Sequence, residues 1–187
     1  MASKPHTVRL RAGELDLDLE ADRGVFGAKR IDLGTLVLLK EAPPPPAEGD
    51  ILDLGAGYGP IAIFLAKAAP KARVWAVDVN ERALELARAN ARAAEVANVT
   101  VAGPDEVPDG IRFAAIYSNP PVRIGKAALH AVLERWLDRL APGGAAYLVV
   151  QRNLGADSLA AWLAASGRAV ERLKSKKGYR ILQVKTG

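Results

Sequence analysis

Ile51-Leu52-Asp53-Leu54-Gly55-Ala56-Gly57-Tyr58-Gly59-Pro60 is the stretch whose reading decides the fold. An apolar run carrying one acid ends in three glycines at alternate positions, and a helical pattern begins at Pro60. A strand that turns this tightly into a helix leaves helix N–H groups free and lets a ligand approach bare backbone. The dinucleotide fingerprint needs its third glycine three residues after the second, for helix–strand packing, whereas Gly59 follows Gly57 by two. Asp53, two residues before the first glycine, would repel a diphosphate and attract a cation. Gly55, Ala56, Gly57 and Gly59 therefore read as a cradle for a cationic ligand without phosphate.

Working outward, strands and helices alternate. Strands are expected at residues 51–54, 74–77, 99–101, 113–117 and 145–150, with helices at 61–69, 81–95, 125–140 and 158–165. Leu129, Val132, Leu133, Trp136, Leu137 and Leu140 form the apolar stripe of the third helix. Pro142-Gly143-Gly144 is expected to turn the chain into the fifth strand. Residues 169–173 and 179–184 are strands joined by a connection too short for a crossover helix, so they form an antiparallel hairpin. The fold class is α/β, a doubly wound, mostly parallel Rossmann-like sheet with an antiparallel strand near its end.

Ahead of this unit, Val8-Arg9-Leu10 and Leu15-Asp16-Leu17-Asp18-Leu19 alternate at period two and predict a hairpin with Asp16, Asp18 and Glu20 on its wet side. A loop around Phe26, a short helix at residues 36–40 and the run Pro43 to Pro46 complete residues 1–49. This portion is too small to hold a core alone and is expected to pack on a single globular unit of residues 50–187.

Composition narrows the chemistry. The 187 residues contain no cysteine and two histidines, His6 and His130, so no thiolate nucleophile, disulfide or clustered metal site is expected. No charge-free apolar stretch reaches the roughly 18 residues of a membrane span, and Met-Ala-Ser-Lys-Pro-His lacks the apolar core of a signal peptide. A cytoplasmic protein, monomeric or homodimeric, is the expectation. The net charge of +5 suits an anionic partner without requiring one.

In such sheets ligands sit at the carboxyl ends of the strands. Asp78 ends the second strand, 25 residues after Asp53, where a carboxylate can accept from both hydroxyls of a ribose, with Val79 beside it. Asp105, after the third strand, is the candidate for an adenine amino group. The glycines, Asp53, Asp78 and the final reversed hairpin resemble class I S-adenosylmethionine-dependent methyltransferases over roughly residues 50–184.

The fourth strand ends in Ser118-Asn119-Pro120-Pro121-Val122. This is similar to the [N/D]-P-P-x motif of methyltransferases that modify planar nitrogens of nucleobases or amides. The lone pair of such a nitrogen is delocalised into its ring or carbonyl. Asn119 Oδ1 and the Pro120 carbonyl can accept from the NH2 and turn the lone pair toward a methyl sulfonium, with Pro121 stiffening the turn. The resemblance also implies that Asn119 borders the cofactor.

Further blocks narrow the resemblance: Gly24-Val25-Phe26, Asp32-Leu33-Gly34-Thr35, Val150-Gln151, Gly155-Ala156-Asp157-Ser158-Leu159 and Lys177-Gly178-Tyr179-Arg180. They are similar to the "small methyltransferase" family, best known for guanine-N2 methylation of small-subunit (16S) ribosomal RNA. The resemblance implies S-adenosylmethionine as cofactor, RNA or the small ribosomal subunit as partner, and a Phe26 loop folded over the cofactor or target base. Val122 departs from the aromatic that many relatives carry for base stacking. Arg123, Lys126, Arg152 and Lys177 are the candidates for RNA phosphates, with Lys174, Lys176 and Arg180 nearby. Glutamine-N5 or adenine-N6 methylation is the alternative chemistry, and a non-catalytic RNA-binding module is the alternative class. Trp75, Trp136 and Trp162 read as core.

Overall fold

The computed structural model describes residues 4–187; the first half of the stretch read for a signal peptide, residues 1–3, lies outside them. Strands β1 (His6–Ala12) and β2 (Leu15–Ala21) form a separate antiparallel hairpin, so His6 belongs to a strand. Asp16, Asp18 and Glu20 lie on its exposed face as the alternation predicts, and Arg9 bridges Asp16 at 2.5 Å and Asp18 at 3.0 Å. The other face sends Leu10 and Leu19 into the core.

Helix α1 (Leu33–Glu41) starts three residues before the expected point. Asp32 is its N-cap, accepting from the Thr35 backbone N–H at 3.1 Å, so the apolar residues at 33 and 36–39 continue one helix.

Strands β3 (Glu48–Leu54), β4 (Lys71–Val77), β5 (Val99–Ala102), β6 (Phe113–Ser118), β7 (Leu140–Gln151), β8 (Ala169–Lys176) and β9 (Tyr179–Lys185) make one sheet, ordered β5-β4-β3-β6-β7-β9-β8. β3 to β7 are parallel, and β9 runs antiparallel to both β7 and β8. The order reverses between β3 and β6, which is where a doubly wound sheet opens a crevice.

Helices α2 (Pro60–Ala68), α3 (Glu81–Ala93), α4 (Lys126–Leu137) and α5 (Ala156–Ala165) cover the faces. Period-two alternation divides the strands cleanly. Ile51, Val74 and Tyr117 pack with the hairpin, α1, α2 and α3, whereas Leu52, Trp75 and Ile116 pack with α4 and α5. Trp136 is buried in the second cluster and Trp162 stacks on His130 at its edge, in keeping with a core reading of the tryptophans.

Boundaries within the α/β unit also differ from expectation. α3 ends at Ala93, and Glu95 turns the chain in the left-handed region at φ 57°. α4 ends at Leu137, because Leu140 already pairs with Phe113 as the first residue of β7. Pro142-Gly143-Gly144 is an irregular stretch inside β7 rather than a turn before it: pairing passes from Phe113–Leu140 to Ala115–Ala145. A side chain at Gly144 would stand 2.8 Å from the Phe113 carbonyl oxygen, so only glycine permits that approach. Among the described residues, no helix is long and apolar enough to cross a membrane.

Candidate active site

The three glycines of the β3–α2 loop all have positive φ: 76° at Gly55, 57° at Gly57 and 98° at Gly59. Gly55 and Ala56 both donate to the Val77 carbonyl at 2.9 Å, tying the loop to the end of β4. A Cβ on Gly55 or Gly57 would meet no other atom within 4 Å, so the loop presents bare backbone to open space. That is a cradle for a group lying flat against the chain.

Asp53 lies beneath this loop, fully buried. The pleat puts it on the α2 face of β3, and its Oδ2 accepts from the Ala62 backbone N–H at 2.9 Å. Its Oδ1 is buried with no hydrogen-bond partner among the described residues. Burial pushes this carboxyl well above the usual carboxylate range; the Ala62 N–H acts in the opposite direction, and the charge of Asp78 adds to the rise.

Asp78 sits at the end of β4 with its carboxylate across the mouth of the loop. Oδ2 accepts from Gly57 N at 2.8 Å and Oδ1 from Asn80 N at 2.9 Å. Val79 next to it is 84% exposed. Asp105 has a side chain 92% exposed and pairs at 2.9 Å with Arg135 on α4. Glu106 beside it accepts from Gly103 N at 2.5 Å.

Across the cradle, Ser118 Oγ donates to the Leu54 carbonyl at 2.7 Å and locks the end of β6 to the end of β3. The next residue, Asn119, enters the cleft with Phe26, Gly27, Asp32, Thr35 and Gly57 on its walls. Asn119 Nδ2 donates to Asp32 Oδ2 at 2.8 Å and to Thr35 Oγ1 at 3.2 Å. A carboxylate only accepts, so this pairing assigns the amide orientation and leaves Oδ1 with no donor among the described residues. Pro121, at φ −76° and ψ 69°, is the centre of an inverse γ-turn in which Val122 N donates to the Pro120 carbonyl at 2.8 Å. One lone pair of that carbonyl remains for another donor. Val122 itself is half-buried against the α4–α5 core.

The Phe26 loop is held from both sides of the cradle. Asn80 Nδ2 donates to the Gly24 carbonyl at 3.2 Å, and Tyr58 OH to the Gly27 carbonyl at 3.2 Å. Burial, with the charge of Asp32, raises the Tyr58 phenol and keeps it a donor. Asp22 anchors the start of the loop by accepting from Arg82 Nη2 at 2.7 Å, and Asn90 ties the hairpin to the glycine loop by donating to the Glu20 and Tyr58 carbonyls, each at 2.8 Å. Phe26 is left at the lip, 67% exposed.

The basic residues divide into two sets. Lys176 pairs with Glu41, and Arg180 with Asp157. Arg123, Lys126, Arg152 and Lys177 are exposed, and none forms an ion pair among the described residues. Arg152 N donates to the Gly178 carbonyl at 2.8 Å, which brings the turn after β7 against the β8–β9 turn carrying Lys177. The structure thus gathers Phe26 and Asn119 with the glycine loop, and turns the Asp105 side chain toward Arg135. Asp32 and Thr35 stand in the sequence only as part of a block ahead of the expected helix, and their contact with Asn119 spans more than eighty positions that no local pattern reveals.

The methyltransferase small domain model matches residues 16–183. The uncharacterized protein YbxB of Bacillus subtilis is 36% identical over 186 residues, covering 98% of this chain and 92% of that one. Ribosomal RNA small subunit methyltransferase C of Aeromonas hydrophila is 35% identical over 127 residues, covering 68% of this chain but 36% of that relative. Among solved structures, the T. thermophilus 16S rRNA N2 G1207 methyltransferase, in complex with AdoMet and guanosine, superposes with a TM-score of 0.80 at 24% identity, over 98% of this chain and 51% of that one; the similarity is one of fold. The chain spans well under two thirds of these two ribosomal RNA methyltransferases. With a glycine cradle facing open space and an Asn-Pro-Pro turn across from it, the chain belongs to the methyltransferase small domain family, enzymes that use S-adenosylmethionine as cofactor.

Proposed function

We propose that this protein transfers the methyl group of S-adenosylmethionine to an exocyclic nitrogen in RNA, with guanine N2 of small-subunit ribosomal RNA as the target, in the cytoplasm. The observation that carries the reading is the Asn119 amide. Its NH2 is engaged by Asp32 and Thr35, so its oxygen faces the cleft as an acceptor beside the glycine loop.

The residues fit the cofactor. Gly55 and Gly57 leave room for its backbone-hugging part, and Asp78 offers a carboxylate for its ribose. When bound, the cofactor supplies an electrophilic methyl group on a sulfonium.

Asn119 Oδ1 and the second lone pair of the Pro120 carbonyl accept the two N–H bonds of the target amine. That holds the nitrogen with its lone pair toward the cradle and favours the pyramidal geometry an attack requires. No residue has to remove a proton first, because the methylated amine can release one to water. Phe26 closes over the ring, and Arg123, Lys126, Arg152 and Lys177 contact the flanking phosphates.

RNA is favoured over protein by those four cations, which form no ion pair among the described residues, and by the ribosomal RNA relatives. The test is transfer of tritiated methyl to small ribosomal subunits, protein-free ribosomal RNA, transfer RNA, duplex DNA and a glutamine-bearing protein. Label in ribosomal RNA is expected; label confined to DNA or protein contradicts the reading.

A further inference from the structure

The geometry points to Asp32 as a positioning residue that fixes and polarises the Asn119 amide through the cap of α1. This rests on the N-methyl transfer proposed above and goes beyond it by naming what aims the acceptor. Asp32 Oδ2 accepts from both Thr35 N, at 3.1 Å, and Asn119 Nδ2, at 2.8 Å. One oxygen therefore starts the helix and holds the amide, while Thr35 Oγ1 adds a second acceptor at 3.2 Å.

The arrangement restricts Asn119 to one of its two amide orientations. Turning the amide over would set its oxygen against a carboxylate oxygen, two acceptors with no proton between them. It also has an electronic consequence. Donation from an amide N–H to an anion shifts density onto the amide oxygen, making Oδ1 a stronger acceptor as positive charge develops on the attacking nitrogen.

The surroundings keep Asp32 in place. A side chain at Gly34 would stand 2.7 Å from Tyr179 Cε1 and 2.9 Å from Asp32 Oδ2, so the absence of one lets the Tyr179 ring close over the helix start. The Asp32 charge is felt there: together with burial it raises the phenols of Tyr58 and Tyr179. The Tyr58 hydroxyl donates instead to the Gly27 carbonyl and so does not compete with Asn119 for Asp32.

The test uses Asp32→Asn, Asn119→Asp and the double exchange, with unmodified small ribosomal subunits as substrate. Asp32→Asn is expected to lower kcat about tenfold, the effect of losing one charge-assisted contact of about 1.4 kcal/mol, with cofactor affinity by calorimetry within about twofold. Asn119→Asp opposes two carboxylates and should fall further; the double exchange restores one amide and one carboxylate and should exceed Asn119→Asp. Unchanged kcat in Asp32→Asn, or no recovery in the exchange, overturns the proposal. A second measurement needs no RNA: the Asn119 side-chain amide proton, identified by its loss in Asn119→Asp, should lie downfield and move upfield in Asp32→Asn. A wild-type enzyme silent on RNA contradicts the RNA reading alone, and an amide shift identical in both proteins then overturns the role of Asp32.

Discussion

Asp53 Oδ2 accepts from the backbone N–H of Ala62 at 2.9 Å, which caps helix α2 from the preceding strand. The helix needs this because its own N-cap, Gly59, has no side chain to do so. The carboxyl group thus serves the fold, and its other oxygen is left buried without a partner among the described residues.

Asp53→Asn keeps the accepting oxygen and removes the titrating carboxyl. The folded-state pKa of Asp53 is raised, so the folded protein holds a proton that the unfolded chain releases at the usual carboxylate value. Its contribution to stability is full below that value and is lost as pH rises toward the raised one. At neutral pH the variant should melt higher, by about 2–4 °C for each kcal/mol relieved, and lose that part of the pH dependence. Calorimetric melting from pH 4 to 8 checks this; a lower melting point with an unaltered pH profile would count against it.

Asp78→Ala should weaken S-adenosylmethionine binding about tenfold or more by titration calorimetry, the effect of losing a carboxylate paired with ribose hydroxyls. In the structure this carboxylate accepts from Gly57 N and Asn80 N. Equal affinity in the variant would restrict Asp78 to clasping the loop.

Gly34→Ala should destabilise the protein by about 1–3 kcal/mol, the usual effect of forcing an extra carbon into a packed site. Tyr179 Cε1 and Asp32 Oδ2 both lie inside the space its Cβ would need. Chemical denaturation measures the loss; wild-type stability would show that Tyr179 moves aside freely.

Arg152→Ala and Lys177→Ala act on residues without ion pairs among the described residues, set together by the Arg152 N to Gly178 carbonyl bond. Each should raise KM for RNA, leave kcat nearly intact and reduce the salt slope of binding by about one. The same treatment of Lys176, already paired with Glu41, should do less. Equal effects at Lys176 and Arg152 would show that overall charge, rather than free cations at the rim, drives binding.

Period-two alternation and the glycine loop made most of the sheet legible, because both rest on neighbours in sequence. The wet face of the hairpin, the alternating strand faces and the reversed last strand are all visible that way. Pro142-Gly143-Gly144 was misleading because the same residues that make turns also permit close backbone approach inside a strand. The burial of Asp53 follows from where the pleat points it, which depends on α2 packing above β3. Residues 32–35 stand in the sequence only as a block ahead of the expected helix; that Asp32 caps α1 and also grips Asn119 depends on α1 meeting the end of β6.

The most direct test of guanine-N2 transfer is the identity of the modified nucleoside. Unmodified small-subunit ribosomal RNA, or the subunit that contains it, is incubated with enzyme and S-adenosylmethionine, digested to nucleosides and resolved by mass spectrometry. N2-methylguanosine at one position, abolished by Asn119→Ala while cofactor binding persists, is the expected result. Methyl found only on adenine, on a protein amide or on no RNA nucleoside would contradict it.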